Sequence, residues 1–353
     1  MIKVHCTGRG VVTPVGNTPQ TVFLAAREGR TAIAQHPGWP EPYMASLLDR
    51  KGFDGPSFFQ HIAIEAARQA IREAGIDPAA PGTALILSTT RGSMADAESI
   101  AASLGVPQAP LVVSNACISG LAALLQGVRM LRAGHARQVI VVGAEEQTPF
   151  IVTGFQSLKA LSAAPCRPFD AARDGLNLGE AAAAMVLTSC HSECSEASRW
   201  ELVTGAIRND ANHISGPSRT GEGSFQALRQ VLREVTPEEL ALVNVHGTAT
   251  RYNDEMEAIA LDRAGLANVP VNALKGIFGH TMGAAGILES IVSMEALEAG
   301  VVLPTKGFQE MGVSRPVSVS AQDRPARGNA FIKLLSGFGG VNGALLFRKG
   351  GAA

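Results

Sequence analysis

Three residues of this 353-residue chain carry groups suited to covalent or acid–base chemistry and stand in settings that favour it: Cys117, His246 and His280. Cys117 lies between an extended apolar run and the helix-like stretch Ile118-Ser119-Gly120-Leu121-Ala122. A thiol at a helix N-terminus feels the positive end of the helix dipole, which lowers its pKa and favours the nucleophilic thiolate. Such a sulfur can hold an acyl group covalently. By position alone, the competing reading is an inert cysteine packed behind a strand. His246 ends an apolar run and leads into the small-residue turn Gly247-Thr248-Ala249-Thr250. His280 lies in Gly279-His280-Thr281-Met282-Gly283-Ala284-Ala285-Gly286, where glycines let backbone and ligand come close. In a parallel α/β sheet, strand-to-helix junctions gather at one edge, and ligands bind there. Lys275, five residues before His280, can share its loop, and Glu289 falls nine residues after it on the following helix.

The elements that would position these groups are legible as short apolar runs. Ala84–Ser88, Leu111–Val113, Gln138–Val142, Ala184–Thr188, Leu242–His246, Val269–Val271, Ala330–Leu335 and Ala344–Arg348 read as buried strands. Helical patterns follow several of them, for example Ile118–Ala133 and Gly283–Ala299, so the chain reads as α/β with largely parallel pairing. Thr236-Pro237-Glu238-Glu239 signals a capped helix start, and Asp254 with Glu257 reads as another capping box. A weak internal echo divides the chain into two similar α/β halves, 1–195 and 196–353. The polar stretch His191–Arg199 reads as their linker.

Composition excludes several function classes. Net charge is −1 with 17% charged, 46% hydrophobic and 5% aromatic residues, which suits a large core and disfavours disorder or nucleic-acid binding. No apolar run approaches the ~18 residues of a membrane-spanning helix, and the start MIKVHCTGRGVVTPVG reads as a strand and a glycine turn without a signal-peptide core. Five irregularly spaced cysteines do not make a disulfide framework, so a cytoplasmic protein is expected, with any special cysteine reactive.

Cys190-His191…Cys194 lacks the second pair of a closed four-ligand metal site. Cys166 reads as packing, and His5, Cys6, His36, His61 and His135 read as structural or exposed. Glu145-Glu146 reads as solvated or structurally paired, and Arg129, Arg132 and Arg137 as a solvated face.

Five motifs in order resemble those of the β-ketoacyl synthases, condensing enzymes with the thiolase-like fold. They are Asn115-Ala116-Cys117-Ile118-Ser119-Gly120; Arg167-Pro168-Phe169-Asp170 with Arg173-Asp174-Gly175 and Gly179-Glu180; His246-Gly247-Thr248-Ala249-Thr250 with Asn253, Asp254 and Glu257; Lys275 through Gly286; and Gly337-Phe338-Gly339-Gly340-Val341-Asn342. The resemblance implies two α/β halves in an α-β-α-β-α stack and a decarboxylative condensation of an acyl-Cys117 intermediate with a malonyl thioester. It implies that His246 and His280 bind the extender's thioester carbonyl, as neutral imidazoles suit an oxygen gaining charge. The N–H groups of Cys117 and Phe338 would form the oxyanion hole, with the Phe338 ring as gate. Lys275, Glu289 and Asp254 would support the site, while Thr248, Thr250, His213, Phe338 and Gly339 would contact pantetheine or acyl groups.

No metal or diffusible cofactor is implied; phosphopantetheine arrives on an acyl carrier protein loaded with acyl or malonyl groups. The implied assembly is a homodimer, or a heterodimer with a related subunit. The sequence departs from the family pattern where only 23 residues separate Thr90 from Ser114, and at Ala181, Leu335 and Ser336; a more open pocket is expected. The competing family readings are a partner subunit akin to a chain-length factor, which usually lacks the cysteine kept here, and a thiolase or starter-unit synthase. Thiolases need a second cysteine near the C-terminus, and none lies beyond Cys194. Starter synthases carry an asparagine with a single histidine, whereas this chain keeps His280.

Overall fold

Apolar runs, most of them buried on both faces, build the centre of the molecule. The computed structural model describes residues 2–38, 40–190 and 200–350. Eleven strands join in one sheet: β1 (Lys3–Val12), β2 (Thr83–Ser88), β3 (Leu111–Val113), β4 (Gln138–Glu145), β5 (Ala181–Cys190), β6 (Trp200–Asn209), β7 (Leu240–Asn244), β8 (Pro270–Asn272), β9 (Ser318–Val319), β10 (Ala330–Gly337) and β11 (Val341–Lys349). The α-helices are α1 (Pro19–Arg27), α2 (Phe58–Ala74), α3 (Met94–Leu104), α4 (Ser119–Arg132), α5 (Pro149–Ser157), α6 (Glu222–Val231), α7 (Arg251–Arg263), α8 (Lys275–Phe278) and α9 (Ala285–Glu298).

Read outward from the middle of the sheet, the first half runs β1-β5-β4-β2-β3 and the second β6-β11-β10-β7-β8, with β9 at the edge. In each half two antiparallel pairings are followed by two parallel ones. The two sides of the sheet thus repeat one topology. The halves meet where His5 pairs with Glu201 and Cys6 with Trp200. The expected linker His191–Arg199, with His191 and Cys194 and the division near 195, lies outside the described residues.

Helices α4 and α9, one from each half, pack on each other between the two halves of the sheet. α2 and α3 cover the outer face of the first half, and α6 and α7 that of the second. This is the α-β-α-β-α stack of the thiolase-like fold.

Three local expectations are corrected. The sheet is not largely parallel, because half of its pairings are antiparallel. The tight turn at Gly339-Gly340 folds β10 onto β11 as a hairpin, which needs no crossover helix. Thr236-Pro237-Glu238-Glu239 does form a capping box, but it starts only a 3₁₀ turn, because Leu240 already begins β7. Asp254 and Glu257 do not cap α7. The Thr250 side chain does so by accepting the Asn253 N–H, while both acids are buried farther along the helix.

The contact between α4 and α9 depends on missing side chains. A Cβ on Gly286 would lie 2.5 Å from the backbone nitrogen of Leu121, and one on Gly120 2.8 Å from the carbonyl oxygen of Gly283. Neither backbone can yield without moving a helix, so this seam sets the distance between the two halves. A Gly286→Val substitution is expected to lower stability by about 2–3 kcal/mol through overpacking. Thermal melting checks this, and an unchanged melting temperature would show that the seam is not tight.

Candidate active site

Cys117 stands on a sharp turn between β3 and α4. Ala116 adopts φ +45°, a left-handed conformation unusual for a residue with a Cβ. The Ser119 hydroxyl secures the turn, accepting the Asn115 N–H at 2.7 Å and donating to the Ala116 carbonyl at 2.6 Å. The N–H groups of Phe338 and of Cys117 itself point at the sulfur. Ala249 and Met282, in the loops carrying the two histidines, are also at positive φ (62° and 37°). Backbone strain therefore collects where the three reactive side chains are displayed.

His246 follows the end of β7. Its N–H donates to Glu257 at 2.6 Å, and the Gly247 N–H donates to the same carboxylate at 2.7 Å. Gly247 is at φ +52°, and a Cβ there would sit 2.3 Å from that of Ala273. His280 is fixed by its N–H to the Asn177 carbonyl (2.7 Å) and by its carbonyl from the Gly179 N–H (3.1 Å). Its Nδ1 accepts the Met282 N–H at 3.3 Å, which leaves the ring proton to Nε2. The two imidazoles meet edge to face with centroids 5.0 Å apart. One nitrogen of each and the Cys117 sulfur lie within 4.8 Å of one another. His280 Nε2 and His246 Nδ1 are buried and have no partner among the described residues.

Beneath the histidines lies a buried charge cluster. Glu289 accepts from Lys275 Nζ at 2.7 Å and pairs on its other oxygen with Lys333 Nζ. Burial pushes the Glu289 carboxyl upward, but the two ammonium groups outweigh it and hold the group below its ordinary range. Burial, reinforced by Lys275, Lys333 and the neighbouring His280, holds His246 well below the usual imidazole range. His280 is depressed by burial, Lys275 and Lys333. Both imidazoles are therefore neutral.

The Cys117 thiol departs from the expectation of a lowered pKa. Burial pushes it up to about 11, against the opposing pull of Lys275 and the Phe338 N–H. Desolvation outweighs the helix terminus, and the resting Cys117 is a protonated thiol.

A cavity of about 430 Å³ leads to the three groups. Thr248, Thr250, His213, Ser336 and Phe338 line it, and the two threonine hydroxyls are 2.9 Å apart. Phe338 is partly exposed and its ring lies 5.5 Å from that of Phe155. The Ser336 hydroxyl donates to Asn342 Oδ1 at 2.8 Å, so the departure from the family pattern places a polar group on the wall. Gly339 is not part of the wall; its N–H donates to the Ile214 carbonyl at 2.7 Å and shapes the turn. Asp254 does not reach the cavity either. It accepts the Phe169 N–H at 2.7 Å and faces Arg173 at 4.0 Å, tying α7 to the Arg167-Pro168-Phe169-Asp170 turn.

Other groups singled out in the sequence are structural. Glu145 is buried rather than solvated, accepting the N–H groups of Thr90 and Gly283, both at 3.0 Å. Glu146 pairs with Arg50 and Arg91. The buried Cys166 thiol donates to the Lys275 carbonyl at 3.3 Å, and Arg132 binds the carbonyls of Ile2 and Val203 rather than facing solvent alone. Sequence reasoning missed Lys333. The signal was a lysine in the middle of Ala330–Leu335, since a charge inside a buried strand requires a partner. Cys117, His246 and His280 are also the described residues whose donor atoms converge closely enough for a metal ion. A thiophilic cation entering there would have to displace the thiol proton.

Comparison with known proteins gives matches along most of the chain. Residues 89–192 match the family model described as "Beta-ketoacyl synthase, N-terminal domain", and residues 200–309 match "Beta-ketoacyl synthase, C-terminal domain". The tetracenomycin polyketide synthase ketoacyl synthase alpha subunit of Streptomyces glaucescens is 30% identical over 98% of this chain and 97% of that protein. A putative mitochondrial 3-oxoacyl-[acyl-carrier-protein] synthase of Schizosaccharomyces pombe is 27% identical over 99% of each. Among solved structures, the ishigamide ketosynthase/chain length factor superposes with TM-score 0.89 at 25% identity, covering 99% of this chain and 100% of that one.

The protonation states give a direct expectation. Alkylation of Cys117 by a small haloacetamide, followed by intact mass, is expected to accelerate with pH up to about 11, the range of its thiol. A plateau below pH 8 would instead reveal a preformed thiolate–imidazolium pair.

Proposed function

Because this chain belongs to the β-ketoacyl synthase family, we propose that it is a β-ketoacyl-[acyl carrier protein] synthase that extends acyl chains in fatty-acid or polyketide assembly, with Cys117 as the site of acylation. The single observation carrying this reading is the convergence of one thiol and two neutral imidazoles within 4.8 Å at the end of a cavity.

The chemistry follows in two stages. An acyl group passes from a carrier's phosphopantetheine thioester to the sulfur of Cys117. The thiol proton leaves through a neighbouring imidazole to the departing pantetheine sulfur. A malonyl thioester then enters the vacated channel, passing Phe338 as gate and held along its arm by Thr248, Thr250 and His213. Its carbonyl oxygen takes hydrogen bonds from His246 and His280. Loss of CO₂ leaves an enolate whose charge sits on that oxygen, where neutral N–H donors stabilise it. The enolate carbon attacks the acyl carbonyl, whose oxygen is received by the N–H groups of Cys117 and Phe338. The carbon–sulfur bond breaks, and the Cys117 thiolate takes up one proton from solvent, the proton that the condensation consumes.

Lys275 and Glu289 set the electrostatics beneath the imidazoles, and Asp254 and Gly339 shape the surrounding backbone. Decarboxylation drives carbon–carbon bond formation without net electron transfer, so no metal or diffusible redox cofactor is called for.

Among the described residues no helix is long and apolar enough to cross a membrane, and a cytoplasmic location alongside the carrier protein fits this role. Acyl- and malonyl-loaded carrier proteins are the partners. The chain pairs with a second copy or with a related subunit, the latter supported by the relative described as a ketosynthase/chain length factor.

Intact mass after exposure to carrier-bound acyl chains tests the reading. The protein should gain one acyl group and Cys117→Ala none, while His246→Ala and His280→Ala accept the acyl group but elongate it at least about 100-fold more slowly. A Cys117→Ala protein that still elongates would overturn the proposal.

A further inference from the structure

We propose that Lys333 is a positioning residue of the active site, an internal cation that fastens the backbone carrying His246 and shares Glu289 with Lys275 beneath His280. The inference rests on the condensing activity proposed above and adds a residue to its machinery.

Lys333 occupies the middle of β10, a strand buried almost throughout, and its side chain is wholly inaccessible. An ammonium group there is costly unless all its donors are met. Its three N–H donors find three oxygens: Asn244 Oδ1 at 2.6 Å, the Val245 carbonyl at 3.2 Å and Glu289 Oε2. Asn244 is itself held, its amide donating to Asn272 Oδ1 at 2.8 Å, which keeps its oxygen turned to the lysine.

The Val245 contact has the most direct consequence. The peptide joining Val245 to His246 is gripped on both sides, its carbonyl by Lys333 and its N–H by Glu257 at 2.6 Å. Lys333 and Glu257 thus hold the base of the His246 side chain from opposite directions. A counterion for Glu289 alone would not need this geometry, because Lys275 already meets that carboxylate at 2.7 Å.

The second consequence is electrostatic. The ionisable groups facing one another here are Lys275 on α8, Glu289 on α9, Lys333 on β10, Glu257 on α7, and His246, His280 and Cys117, with Glu145 at the end of β4 acting on Cys117. Burial pulls Lys333 down to about 8 while Glu289 opposes this, so the group still carries its charge near neutrality. Burial depresses both imidazoles, and Lys275 and Lys333 add to the depression. Removing Lys333 deletes one positive charge and leaves Glu289 less compensated. Both changes favour imidazolium, so the histidines should protonate at higher pH.

Full-length Lys333→Met and Lys333→Ala proteins test this, with near-UV circular dichroism identifying folded samples. Lys333→Gln replaces the methionine variant if that one does not fold. The first readout needs no substrate. In ¹⁵N-histidine NMR titrations the His246 and His280 signals of the variant should move to higher pH by about one unit relative to the parent protein.

The second readout is the pH profile of condensation, whose acid limb should shift in the same direction. The third is rescue. Ammonium or methylammonium ions should restore the Lys333→Ala rate by about tenfold or more, but not the Lys333→Met rate, because the methionine fills the space. Unchanged histidine titrations in a folded variant would overturn the proposal, as would loss of melting temperature with no shifted acid limb and no rescue. If no carrier acylates even the parent protein, the condensation reading fails, while the titration still decides the role of Lys333.

Discussion

A carboxylate shared by two buried ammonium groups underlies the whole site. Glu289 is inaccessible to solvent, and so are Lys275 and Lys333 on either side of it. Taking three charges out of water costs several kcal/mol per ion unless partners replace the lost hydration. Here every ammonium–carboxylate contact is made, and the surplus cation faces two imidazoles. The histidines consequently stay neutral, and each keeps one ring nitrogen without a partner among the described residues. That is the state needed to receive an oxygen as it gains negative charge, rather than to hold an existing thiolate. The same dry surroundings keep Cys117 protonated. The resting site is neutral over the reacting atoms and charged just beneath them.

The repeated topology explains how these groups come together. β3 leads through Cys117 into α4, and its counterpart β8 leads through His280 into α9. β7, which leads to His246, is the counterpart of β2, which leads to Thr89 and Thr90. Two equivalent strand-to-helix junctions thus face one another across the seam between α4 and α9. The glycines of that seam bring the backbones close enough for sulfur and imidazole to share a cavity. Small residues there act at a distance from the chemistry by setting the separation of the halves.

Much of this was legible in the sequence. Most strands, the two long central helices and the settings of Cys117, His246 and His280 follow from apolar runs and small-residue turns, because those patterns are local; the half-polar β6 (Trp200–Asn209) and the two-residue β9 carry no such run and were not read as strands. What failed was tertiary. The helix-terminus reading of Cys117 omitted desolvation, which a sequence does not display and which reverses the sign of the shift. Asp254 and Glu257 have capping spacing, but burial turns them to backbone N–H groups elsewhere. Lys333 was hidden inside an apolar run, and only the fold reveals the oxygens around it. The short stretch between Thr90 and Ser114 holds just α3 and β3. Alignments to the two relatives run over 418 and 424 positions, so this 353-residue chain is trimmed relative to them.

Neutron diffraction from a deuterium-exchanged crystal of the unacylated protein at neutral pH locates the protons of this site. Deuterium is expected on the Cys117 sulfur, a single deuterium on each imidazole with that of His280 on Nε2, and a fully deuterated ammonium on Lys275 and on Lys333. A bare sulfur beside a doubly deuterated imidazole would show instead that the resting site is a thiolate–imidazolium pair.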